Sequence, residues 1–254
     1  MDLSNFYAEQ HYHDFLNRIS DPSGLTFWIN NIESCGSSAQ CREVKRIDTS
    51  AAFFLSIEFQ TTGFLVYRLY KASLPETPQR PRAMPRYREF IRDTQQIAQG
   101  VVVGNSGWQQ VLEANTVNFT NDFVYRPEFL ANYPATLTAA AYVDKLDAQA
   151  GRVLTFDEYF RLTNGLMAGL ETRGSVLRKI AENQKVSDAE MNRAFVLMQY
   201  FGYLRRNPDD APDNSFAGFD FWLAKLNQFG GDYRAAEMVK AFIVSGEYRH
   251  RFGP

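Results

Sequence analysis

Few of the residues that usually announce a chemistry are present in this chain of 254 residues. Its two cysteines are too few for a closed zinc site, and the nearest histidines belong to another segment. His11 and His13 lie two apart, so on a helix they would point to nearly opposite faces, and His250 stands at the far end of the chain; no metal or acid–base pair is expected from them. An excess charge of one sign is lacking as well. The 27 Lys and Arg balance 29 Asp and Glu to a net charge of −2, so nothing favours a phosphate backbone and nucleic acid is not an expected partner. No stretch approaches the roughly 18 apolar residues of a membrane span, and Met1-Asp2-Leu3-Ser4-Asn5 carries no basic segment leading into an apolar run, so neither membrane insertion nor a signal peptide is expected. The glycines of Gly100-Val101-Val102-Val103-Gly104 fit neither the dinucleotide nor the P-loop pattern. No Ser-His-Asp or Cys-His set can be assembled either, and the chain is expected to be no enzyme and to need no cofactor.

What the chain does have is aromatic side chains, 21 Phe and 13 Tyr, and many of them fall in a motif written twice. The first copy uses Tyr12, Phe15, Leu16, Arg18, Asp21, Gly24, Phe27, Trp28 and Ile32; the second uses Tyr200, Tyr203, Leu204, Arg206, Asp209, Gly218, Phe221, Trp222 and Leu226. A closing element follows each, Phe53-x-x-Ser56-x-Glu58-Phe59 and Phe242-x-x-Ser245-x-Glu247-Tyr248, with a looser version at Phe123-x-x-Arg126-Pro127-Glu128-Phe129. Tyr142-Val143-Asp144-Lys145-Leu146 reads as a further opening whose Arg-x-x-Asp turn is lost. Repetition of this kind says how a chain is built rather than what it does.

Apolar residues recur at helical spacing, as in Ala194, Phe195, Met198, Phe201 and Tyr203, and only Val101-Val102-Val103 resembles a strand. Helix starts are expected at Asp21-Pro22 and at the capping boxes Ser37-x-x-Gln40, Ser106-x-x-Gln109, Thr155-x-x-Glu158 and Ser187-x-x-Glu190. The expected fold is therefore all-α, a repeat-built helical bundle of roughly ten helices with short loops. Its divisions are a first repeat unit at 1–72, a linker at 73–87 rich in proline and arginine, a degenerate middle at 88–186, and a second clear unit at 187–254.

Within the motif the residues read as architecture. Asp21 caps a helix, Gly24 and Gly218 sit where the backbone packs closely, and Trp28 and Trp222 are buried equivalents. Arg18, and Arg206 with it, would bond loop carbonyls or pair with the acid of the closing element. Cys35 and Cys41 flank a short polar loop and are expected to form a disulfide, which places the chain in an oxidising compartment. The acidic loop Asp209-Asp210-Ala211-Pro212-Asp213-Asn214-Ser215 is the one metal candidate: Asp209, Asp210, Asp213 and Asn214 supply oxygen ligands for calcium, although the loop lacks EF-hand spacing.

At Arg18-Ile19-Ser20-Asp21-Pro22-Ser23-Gly24-Leu25-Thr26-Phe27-Trp28 the chain resembles the bacterial domain-of-unknown-function family 4214, itself similar to the linker domains of phycobilisomes. The resemblance covers both end units and, more weakly, the middle. The second copy departs from it, with eight residues between Asp209 and Gly218 where the first has two between Asp21 and Gly24. It implies an all-helical module carried by large exported or cell-surface proteins. The function expected is a non-enzymatic interaction or scaffold module, bound to a protein partner or to copies of itself. The alternative is a surface module that binds calcium or carbohydrate.

Overall fold

Local capping shows why the first motif folds as it does. The Asp21 carboxylate accepts from the amide of Gly24 and Pro22 takes the first helical position, so the chain turns into a helix there. The computed structural model describes residues 3–253, and among them every regular element is helical. The single β-like feature is an isolated bridge between Thr77 and Arg80.

Four repeats of one plan account for the fifteen α-helical segments. Each has an opening helix, a turn, two further helices and a short closing turn. The first repeat consists of α1 (Ser4–His11), α2 (Pro22–Glu33), α3 (Ala39–Leu55) and α4 (Ile57–Thr61). The second has α5 (Gly63–Ser73), α6 (Tyr87–Ala98), α7 (Trp108–Phe123) and α8 (Pro127–Asn132). The third has α9 (Ala139–Gln149), α10 (Phe156–Met167) and α11 (Arg173–Ala181), and its closing turn at Asn183 runs straight into α12 (Gln184–Met198). With α12 the fourth repeat begins, continuing in α13 (Ala217–Gln228), α14 (Met238–Val244) and α15 (Gly246–His250). The second repeat thus opens at Gly63, inside the expected first unit, and takes in the expected linker, leaving its later helices and the third repeat in the region read as degenerate.

Contacts divide the chain into two compact units, Met1–Gln60 with Asn192–Pro254, and Thr61–Met191. The first unit unites the two end repeats. Its core is aromatic, with Tyr7, Phe15, Phe54, Phe59, Phe201, Tyr203 and Tyr248 buried. The second unit contains the two middle repeats around Tyr67, Tyr70, Phe123, Phe129 and Tyr142. Segment 73–87 lies inside this second unit: Pro81–Ala83 forms a 3₁₀ turn, and Arg80 is only 3% exposed.

Several helix starts differ from the sequence expectation. The cap of α3 is Ser38, whose side chain accepts from Cys41, rather than Ser37. Gly107 in the left-handed region precedes α7 in place of a capping box at Ser106, because its φ of 80° ends the preceding turn. Ser187 and Glu190 lie within α12, which Asn183 starts one turn earlier. The box at Thr155 and Glu158 is formed, and a second joins Thr172 and Ser175. No helix among the described residues is long and apolar enough to cross a membrane.

Candidate functional site

The two motif copies build the same turn. In each, the opening helix widens into a π-helical turn, Tyr12–Leu16 and Gln199–Leu204, and stops at a left-handed residue, Asn17 (φ 54°) or Arg205 (φ 58°). The next amide reaches back to the tyrosine carbonyl, Arg18 to Tyr12 at 3.4 Å and Arg206 to Tyr200 at 3.5 Å. This places the arginine over the tyrosine ring, 4.9 Å from the centroid for Arg18 and 5.5 Å for Arg206.

Each arginine then closes its repeat. Arg18 forks onto Glu58 at 2.6 and 2.8 Å, touches Asp21 at 3.3 Å and donates to the Ile19 carbonyl. Arg206 forks onto Glu247 at 2.6 and 3.0 Å and reaches Asp213 at 2.8 Å. A third arginine, which the sequence placed in a linker, does the same: Arg80 lies over Tyr70 and forks onto both Glu128 and Glu89 at 2.6–2.9 Å. Burial disfavours the charge on Arg18, Arg80 and Arg206, but the paired carboxylates outweigh it and raise all three above the ordinary arginine range. Two carboxylates and an aromatic face satisfy each guanidinium, so these are clamps between distant parts of a repeat. The third repeat keeps the closing turn with the charge reversed: Lys185 takes the place of the glutamate and donates to the Val153 carbonyl at 3.0 Å.

Beside each end clamp the packing is tight. A Cβ on Gly24 would lie 2.1 Å from the Tyr12 hydroxyl, and one on Gly218 would lie 2.6 Å from that of Tyr200. Burial pushes both tyrosines up to about 12, with Asp21 adding to the shift of Tyr12 and Asp213 to that of Tyr200. Trp28 stacks near Phe53 at 5.5 Å and Trp222 near Phe242 at 5.9 Å, so they are equivalents. They are half-buried, however, and not buried as their helical stripe suggested. The reason is that Phe27 and Phe221 take the outer side of the helix, 61% and 58% exposed, each edge-on to its tryptophan at 4.9 Å and 76°. Both end repeats therefore present one aromatic edge of the same geometry.

The acidic loop is occupied with its own chain. Asp213, not Asp209, gives Arg206 its second carboxylate, since the longer turn moves the acid further along. Asp210 accepts from the amide and side chain of Asn207, and Asn214 donates to the Pro212 carbonyl. Asp209, Asp210 and Asp213 do not gather as a metal site, and among the described residues no group of three or more His, Cys, Asp or Glu does.

Sequence reasoning missed the polar centre of the first unit. The Asp14 side chain is fully buried and accepts from Arg205 at 2.6 Å, Arg251 at 2.9 Å, Gln10 at 2.7 Å and the Tyr248 hydroxyl at 3.2 Å. Close by, His11 donates from Nδ1 to the Tyr7 carbonyl at 2.8 Å, so its Nε2 accepts from the Tyr203 hydroxyl at 3.1 Å, and Ser50 in turn donates to Tyr203. Burial holds His11 neutral, lowering it to about 4. His13 faces Glu9 at 3.3 Å and His250 is exposed at the end of α15, so the three histidines share no site. The only hint of this centre in the sequence is a pair of charges, Asp14 and Arg205, placed among aromatic residues.

Cys35 and Cys41 lie at disulfide-bonding distance with Cα atoms 5.5 Å apart. Comparison with known proteins finds no family model, no curated protein and no solved structure that matches the chain.

Proposed function

We propose that the chain is a non-enzymatic interaction module of an exported or cell-surface protein, and that it associates with further copies of itself. The observation that carries this reading is the aromatic edge presented twice, Phe27 on Trp28 and Phe221 on Trp222, in the same geometry and at equivalent places in the two end repeats. Exposed aromatics are enriched at interfaces, and a surface present in two copies can join molecules in series. The clamps and the buried polar centre support a structural role, because their groups are spent on one another. The Cys35–Cys41 pair supports an oxidising compartment. The resemblance to the family-4214 modules agrees with both.

Analytical ultracentrifugation across a concentration series tests the reading. Reversible association is expected, and Phe27→Ser with Phe221→Ser should weaken it without lowering the melting temperature. A chain that stays strictly monomeric at high micromolar concentration would overturn self-association.

A further inference from the structure

A second feature of the first unit stands apart from the aromatic edges. Between α3 and the α14–α15 turn lies an open cavity of about 300 Å³, at the small end of the range for small-molecule sites. Four cations line it, Arg42 and Arg46 from α3, Lys240 from α14 and Arg249 from α15, with Glu43 as the one lining carboxylate. In a chain of net charge −2 this concentration of positive charge runs against the composition. Arg42 and Arg46 stand one turn apart on the same helix face, where like charges repel. Glu43 is engaged with Lys240 at 2.6 Å, and Arg42 reaches only Glu33, at 3.2 Å, from outside the cavity. The Nε–H of Arg42 is buried and has no acceptor. Ile47 and Ile243 supply an apolar wall to the same cavity.

We propose that this cavity binds a small organic phosphate monoester. A phosphate dianion carries two charges where a carboxylate carries one and accepts guanidinium forks on several sides, so it suits cations that converge on one cavity. The apolar wall takes the organic group. Self-association through the aromatic edges plays no part in this site.

Isothermal titration of the whole chain with phenyl phosphate at low salt tests the proposal. The expected result is one saturable site, weaker binding of inorganic phosphate and of benzoate, and loss of affinity below about pH 6 as the monoester takes up its second proton. Arg42→Gln with Arg249→Gln should reduce affinity at least about tenfold. Arg249→Gln alone, at an exposed position, should reduce it in the same direction with an unchanged melting temperature. Absence of saturable binding at about 10 mM ligand, or binding that the folded variants leave unchanged, would overturn the site, since a useful affinity lies below that concentration. Benzoate binding as tightly as phenyl phosphate would overturn the phosphate assignment.

Discussion

The two compact units solve one packing problem in different ways. In the first unit, the residue four beyond the glycine is a tryptophan, Trp28 or Trp222, and it packs on the phenylalanine of the closing element while Ser56 or Ser245 caps the short helix that follows. In the second repeat, within the second unit, the corresponding positions carry Asp93 and Arg126. Asp93 is fully buried and receives Arg126 at 2.5 and 3.0 Å and the Tyr70 hydroxyl at 2.7 Å. Tryptophan and serine have been exchanged together for aspartate and arginine. The clamp is common to both units; the contact beside it is free to be apolar or ionic, provided that both partners change. One consequence is that the second repeat has no aromatic edge at this place.

The largest expected effect comes from breaking the ionic version. Arg126→Met leaves the buried Asp93 with only the exposed Arg92, at 2.8 Å, as countercharge and should cost about 3 kcal/mol, read from urea unfolding. Replacing both partners, Arg126→Met with Asp93→Leu, should recover much of that loss.

Acid should distinguish the units next. His11 binds a proton only near pH 4 when folded but near 6.5 when unfolded, so its contribution is complete above the unfolded value and is lost as the pH falls through this window. The loss reaches on the order of 3 kcal/mol. Glu89 in the second unit, held low chiefly by Arg80 against the opposing effect of burial, keeps its contribution above the ordinary carboxylate range and loses it only below. Hydrogen exchange followed from pH 7 to pH 5 should therefore open the first unit first, and His11→Gln should remove the difference.

Trp28→Ala and Trp222→Ala should each cost about 2 kcal/mol, below the range of a fully buried aromatic, because neither side chain is fully buried. Equal losses at the two sites would confirm their equivalence. The smallest effect belongs to the caps: Ser56→Ala and Ser245→Ala should each cost about 1 kcal/mol, measured by thermal unfolding.

The helical class and the two end repeats were legible because Tyr and Arg recur six apart, and Gly and Trp four apart, in both copies, each arginine held over its tyrosine and each tryptophan against the closing phenylalanine. The cap at Asp21 and the arginine-to-glutamate closure followed from residue chemistry alone. Arg80 stayed hidden because it stands ten residues beyond Tyr70, where Arg18 and Arg206 stand six beyond their tyrosines, and prolines in the interval suggest a linker. Asp213 was missed for a related reason: the longer turn puts the nearer acid, Asp209, in register by sequence but not in space. The outward turn of Phe27 and the buried placement of Asp14 depend on which side of each helix the partner repeat covers, and no single repeat encodes that.

The burial of Asp14 imposes an order of events on a growing chain. Its two arginine partners, Arg205 and Arg251, stand 191 and 237 residues further on, after the whole of the other compact unit. Until they arrive, the first repeat holds a carboxylate with no arginine beside it, and burying that charge alone is costly. Arg205 and Arg251 therefore act as the fastener of the first repeat.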